Sequence, residues 1–85
     1  MLLAGVHSEE TFMERYGHLR NSGVAAYEVG PGSITVRFDD GHVYLYTDQS
    51  AGAGNILQMQ GLARSGRGLN SFIDRVVKHR YASKT

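Results

Sequence analysis

Tyr44 and Tyr46 stand two apart in the run Val43-Tyr44-Leu45-Tyr46, and Arg37 precedes them in the neighbouring apolar run. Residues i and i+2 of a strand point the same way. Two tyrosine rings beside a guanidinium would make a stacking platform for single-stranded nucleic acid, worth about 1–3 kcal/mol per base. The competing reading covers this face with a helix or closes it into a small barrel, each hydroxyl finding a partner at the rim. The other residues able to do chemistry do not assemble. His7, His18, His42 and His79 are scattered, with no pair at metal-ligand spacing. Asp39 and Asp40 are adjacent carboxylates, but a turn at Asp40-Gly41 accounts for at least Asp40 before any acid–base role. Neither a Gly-x-Ser-x-Gly elbow nor an H-E-x-x-H motif is present. Gly52-Ala53-Gly54-Asn55 opens a helix whose free N–H groups could hold an anion. The segment lacks the full dinucleotide fingerprint and any Walker lysine, so a flexible loop is the simpler reading. The expectation is a chain without catalytic residues, metal or cofactor.

Several elements must position the tyrosines. Ser8 reads as an N-cap, with Glu9 and Glu10 in the first turn and Phe12, Met13, Tyr16 and Leu19 at helical spacing. This predicts a short helix over 8–19, broken at Asn21-Ser22-Gly23. Three strands follow: Val24 to Val29, Ser33 to Asp39 and His42 to Thr47. Asp40-Gly41 signals a two-residue type I′ hairpin. That turn sets Asp39 against His42, Phe38 against Val43, Arg37 against Tyr44, Val36 against Leu45 and Thr35 against Tyr46. Ile34, Val36, Phe38, Val43 and Leu45 then share one face, and Thr35, Arg37, Tyr44 and Tyr46 the other. Residues 48–54 read as a loop. A helix with the stripe Ile56, Leu57, Met59, Leu62 and Ala63 ends at a Ser65-Gly66 cap. Asn70 or Ser71 caps a second helix, with Phe72, Ile73, Val76, Val77 and Tyr81 on its apolar side. Residues 82–85 read as a frayed tail.

The predicted class is therefore α+β: a short N-terminal helix, a three-stranded antiparallel meander and two C-terminal helices. A small Sm-like or SH3-like barrel is the architectural alternative. The predicted core holds Val24, Ala26, Ile34, Val36, Phe38, Val43, Leu45, Ile56, Met59, Leu62, Phe72, Ile73 and Val76.

The 85 residues make one domain with one small core. With no cysteine, disulfides, thiolate nucleophiles and Cys-based zinc sites are excluded. A small domain without such staples is commonly stabilised by association, and a homo-oligomer is expected. The first ten residues lack the basic start and long apolar run of a signal peptide. No stretch approaches the roughly 20 apolar residues of a membrane span, so a cytoplasmic location is expected. The net charge of +1 hides an asymmetry. Residues 1–60 hold three arginines against seven carboxylates, a net of −4, whereas residues 61–85 hold six cations against Asp74, a net of +5. Such a basic third could meet phosphates, solvate a helix face, or pair with the acidic part of the same chain or a neighbour.

Four segments, in order, resemble a known family: Asn21-Ser22-Gly23-Val24, Val36-Arg37-Phe38-Asp39-Asp40-Gly41, Val43-Tyr44-Leu45-Tyr46, and Ser65-Gly66-Arg67-Gly68-Leu69-Asn70-Ser71-Phe72-Ile73. Over about residues 21–81 the chain resembles the KTSC domain. That module is named from the C-terminus of some lysyl-tRNA synthetases and also occurs alone in small bacterial proteins. The predicted N-terminal helix lies outside it. The family commonly carries Val-Pro soon after its Tyr-x-Tyr strand, where this chain has a glycine-rich loop. Its closing segment is also less helical than Phe72 to Tyr81 reads. The synthetase context of the family implies RNA binding.

Charge and the family resemblance together lead to the expectation of a small non-catalytic nucleic-acid-binding module, for single-stranded RNA. Tyr44 and Tyr46 would stack bases, while Arg37, Arg64, Arg67, Arg75 and Lys78 would meet phosphates. The alternative is a protein-interaction or self-assembly module in which the −4 and +5 parts meet between subunits.

Overall fold

The computed structural model describes residues 13–17 and 23–85. It shows a five-stranded antiparallel sheet in sequential order, with helices packed on one face. The strands are β1 Glu14–Arg15, β2 Val24–Gly30, β3 Ser33–Phe38, β4 Val43–Thr47 and β5 Ser83–Lys84. Between β4 and β5 lie α1 Asp48–Ala51, α2 Ala53–Ser65 and α3 Leu69–Phe72, the last continuing as a π-turn over Ile73–Val77. The small α+β class and its central meander are as the patterning predicts. β1 and β5 are the sheet's two edges, and no pairing joins them among the described residues, so the sheet is open where the barrel alternative would be closed.

The N-terminal helix predicted over 8–19 is corrected where it can be seen. Glu14 and Arg15 form a short strand that pairs with Tyr27 and Ala26 of β2, and Gly17 leaves it at φ of 61°. The rest of that prediction lies outside the described residues. Helical spacing there loses to sheet pairing: Tyr16 N–H donates to Ala25 O at 3.0 Å, and the Tyr16 ring enters the core. The tail also joins the sheet rather than fraying. Val43 and Thr85 exchange backbone hydrogen bonds of 3.1 and 2.7 Å, and Ala82 N–H donates to Leu45 O.

The β3–β4 register differs from the predicted one by one residue. Ile34 faces Tyr46, Val36 faces Tyr44, and Arg37 faces Val43. The cause is the turn. Its loop is three residues long, Asp39-Asp40-Gly41, with Phe38 N–H donating to His42 O and Gly41 N–H donating to Phe38 O, each at 2.9 Å. Gly41 has φ of 93°, but Asp40 is not in the positive-φ region that a type I′ turn requires. Instead the Asp40 carboxylate accepts from the His42 backbone N–H at 2.9 Å and meets His42 Nδ1 at 3.0 Å. Those contacts with His42 hold the Asp40 carboxyl below its ordinary pKa. The slip turns Tyr44 and Tyr46 to the helix-covered face and Val43 and Leu45 to the other.

A second irregularity acts on β2. A bulge between Val24 and Ala26 lets Val24 face Phe38 and then brings Tyr27 and Val29 opposite Val36 and Ile34. Ala26 is buried but stands outside the main cluster. That cluster unites Tyr16, Val24, Ile34, Val36 and Tyr46 with Ala51, Ile56, Met59, Ala63, Leu69, Phe72, Ile73 and Val77 from the helical side. Val43 and Leu45 are only half-buried, and Val76 is 38% exposed, so the π-turn presents Val77 inward in its place.

Thr47 ends β4 and caps α1. Its hydroxyl accepts from Ser50 N–H at 3.0 Å, while the Ser50 hydroxyl accepts from Thr47 N–H at 2.9 Å. Residues 48–51, predicted as loop, are thereby helical. Gly52, at φ 98°, separates α1 from α2. Gly66, at φ 83°, ends α2 as predicted, its N–H donating to Leu62 O and Ala63 O. Gly68 rather than Asn70 or Ser71 caps α3. Two long-range ties fasten the layers. Buried Gln60 donates to Gly30 O and Ser33 O at 3.1 and 2.9 Å, and the Tyr16 hydroxyl accepts from Leu69 N–H at 2.9 Å. No helix of the described residues is long and apolar enough to cross a membrane.

Candidate functional site

The register separates residues that the sequence grouped together. Tyr44 and Tyr46 still share a face, but Arg37 is on the opposite one, exposed and paired with Val43. Tyr46 is only 1% exposed, so its ring is core and cannot serve as an open stacking platform. Tyr44 is half-buried. Their rings are parallel within 10° with centroids 6.3 Å apart. Tyr81, beyond the π-turn, stands at 75° to Tyr44 and 78° to Tyr46, with centroids 4.9 and 6.4 Å away. Phe38 meets the edge of this group, 5.2 Å from Tyr44. Burial, and then the neighbouring Tyr44 and Tyr81, push the Tyr46 hydroxyl up to about 12.

The three tyrosines form one side of a cleft of about 500 Å³ whose rim carries charge of both signs. Asp39, Asp40 and Asp74 line it, as do Lys78, His79 and Lys84. Lys78 is a predicted phosphate contact, but here it pairs with Asp74 at 3.5 Å, one helical turn before it. Arg75 is exposed on the π-turn and lines neither this cleft nor the next.

Arg64 and Arg67 are brought together elsewhere. They line a second cleft of about 510 Å³ with Arg15, Tyr27, Gly17 and Gly66. Arg64 lies in the last turn of α2, where the helix dipole favours a cation, and Arg67 follows the Gly66 cap. Arg15 comes from β1. Glycine at both 17 and 66 permits the approach that forms this wall: a Cβ on Gly17 would lie 2.7 Å from Gly66 O. No carboxylate lines the cleft, and none pairs with its arginines among the described residues. Tyr27 is half-buried beside them, its ring 6.4 Å from and nearly perpendicular to that of Tyr16.

Of the residues that line this cleft, Arg64 and Arg67 are ones the sequence singles out as phosphate contacts, and Arg15 and Tyr27 are not. Arg15 is hidden because its segment carries a helical pattern. Tyr27 is hidden because the bulge reverses the alternation of β2. The sequence also omits Tyr81 and Lys84 from the tyrosine group, since β5 carries no strand signal of its own. Comparisons of the chain with family models, curated proteins and solved structures find no match.

Proposed function

We propose that this chain is a small, non-catalytic, cytoplasmic module that binds single-stranded RNA through the arginine cleft. The observation that carries this reading is the gathering of Arg15, Arg64 and Arg67 beside Tyr27 in a cleft with no carboxylate on its lining among the described residues. Guanidinium groups suit phosphate because their fork of donors matches its oxygens. Tyr27 offers a π surface for one base. The resemblance to the KTSC domain over about residues 21–81 supports the same reading, with the interface moved from the Tyr44/Tyr46 strand to the mouth between β1, β2 and the end of α2. Neither Arg37 nor Arg75 belongs to that interface.

The test is binding of labelled single-stranded RNA across a salt series. Arg15→Ala, Arg64→Ala and Arg67→Ala should each weaken binding to all sequences. Each should also flatten the slope of log affinity against log salt, by about 0.7 for every phosphate left without its cation. Tyr27→Leu should lose roughly 1–3 kcal/mol and leave the slope nearly intact. Arg75→Ala is the exposed control and should change little. Equal losses at Arg75 and at the cleft arginines would reduce the site to general charge and overturn the assignment.

A second reading, self-association, is favoured by Leu57. This side chain on α2 is 68% exposed, the most exposed of the large apolar residues described. Under this reading the protein forms a homo-oligomer and Leu57→Glu lowers its mass in solution. A wild-type mass that is monomeric and independent of concentration removes it.

A further inference from the structure

The tyrosine cleft has a charge balance opposite to that of the arginine cleft. Of the cations on its rim, Lys78 is spent on Asp74 at 3.5 Å. Lys84 is spent on an aromatic face, its Nζ 5.4 Å from the Tyr44 ring centroid. The Asp39 carboxylate lines the cleft with no hydrogen-bond or ion-pair partner among the described residues. The Tyr46 hydroxyl also has no hydrogen-bond partner there, although the side chain is 99% buried. No enclosed polar side-chain atom is left without a partner among the described residues, so this oxygen keeps a small exposure on a residue that lines the cleft. Unused acceptors, stacked tyrosines and an ammonium already seated on one of them describe a single chemistry.

We propose that the cleft bounded by Tyr44, Tyr46 and Tyr81 is a binding site for a primary alkylammonium group, with Lys84 of β5 as its resident intramolecular occupant. The ammonium would lie on the Tyr44 ring, where the quadrupole attracts a cation. It would donate to the Tyr46 oxygen, which burial keeps in the neutral phenol form well above neutral pH. Asp39 supplies the countercharge. An incoming amine must displace Lys84, whose strand is held to β4 by only a few backbone bonds. The carboxylates on the rim turn away phosphate, so this site is separate from the arginine cleft and does not rest on the RNA reading.

The experiment follows the tyrosine ring resonances of the full chain during titration with n-butylammonium chloride. n-Butanol and sodium chloride serve as the uncharged and ionic controls. Lys84→Met keeps an unbranched stem and removes the ammonium, and Lys84→Gln replaces it should the methionine variant unfold. Because an internal ligand competes at millimolar effective concentration, its removal should tighten n-butylammonium binding about tenfold. The rings of Tyr44, Tyr46 and Tyr81 should shift together, while Tyr16 and Tyr27 stay in place. Asp39→Asn in the Lys84→Met background should weaken binding several-fold. N-acetyl-lysine methylamide, run beside the free amine, separates the sources. Tighter binding of the peptide analogue assigns the site to a lysine of a partner chain, and tighter binding of butylammonium to a small amine. Absence of a saturable shift in a folded Lys84 variant, or an equal response to butanol, overturns the proposal.

Discussion

Gly41 and Gly17 both have positive φ, 93° and 61°, yet for different reasons. A Cβ on Gly41 would meet nothing, so Gly41→Val should cost only its backbone strain, about 1–2 kcal/mol. Gly17→Ala adds a clash with the Gly66 backbone oxygen to similar strain, and should lower the urea midpoint more than Gly41→Ala does. Tyr46 gives a prediction in pH. Its hydroxyl rises from 10.0 to about 12 in the fold. Below pH 10 both folded and unfolded chains hold the proton, and stability is full. Between 10 and about 12 the unfolded chain releases it first, so stability falls with rising pH through that window. Tyr46→Phe should remove that part of the alkaline decline, as followed by thermal melting at a series of pH values. Residues whose role is local were legible in the sequence: Gly41 and Gly66 declare their turn and cap by type and position. Tyr16 and Gln60 were not legible, because their partners lie 53 residues away in one case and 27 and 30 in the other.

At the scale of elements, the hairpin β3–β4 was legible and its register was not. Ile34, Val36 and Phe38 mark the inner face of β3 without ambiguity, but β4 offers Val43 and Leu45 on one side and Tyr44 and Tyr46 on the other. Both sets are apolar enough to be buried, so the turn decides, and a glycine after two aspartates serves a two-residue or a three-residue loop. The bulkier tyrosines turn toward the helices, and with that choice Tyr46 becomes core while Tyr44 stays half-buried at its edge. β1 and β5 were illegible for another reason: two-residue edge strands exist only because a neighbour supplies hydrogen bonds. Gln60 shows how such tertiary bonds set the layers. It ties α2 to both ends of the β2–β3 turn at Gly30 O and Ser33 O. Gln60→Leu fits an apolar site but leaves two carbonyls without this donor, and should cost about 1–3 kcal/mol in chemical denaturation. Gln58→Leu, on the exposed side of the same helix, should stay within about 0.5 kcal/mol.

At the scale of the whole molecule, the −4 and +5 division of the chain does not become two charged faces among the described residues. β1 contributes Arg15 to the basic cleft, and the C-terminal third sends Lys78 and Lys84 into the cleft that also holds Asp39, Asp40 and Asp74. The segment from Gly66 to Asn70 runs between the two, with Gly66 in one wall and Asn70 in the other. One edge of the sheet is guarded by β5. Val43-Tyr44-Leu45-Tyr46-Thr47 is a β-prone, uncharged strand, the kind that pairs with other chains when its edge is bare. Among the described residues it is 82–85 that cover it, pairing Lys84 with Tyr44 and Ser83 with Leu45 and adding bonds to Leu45 O and between Val43 and Thr85. A chain ended at Tyr81 should therefore melt at lower temperature and also sediment as concentration-dependent assemblies, because β4 would offer Val43 N–H, Val43 O and Leu45 O to a second copy. Lys84→Met in the full chain separates the two contributions of the tail. It removes the cation from Tyr44 but keeps the backbone pairing, so it should remain free of these edge-paired assemblies. Assembly by both variants alike would assign the edge protection to charge, and assembly by neither would show that β4 is guarded by something other than β5.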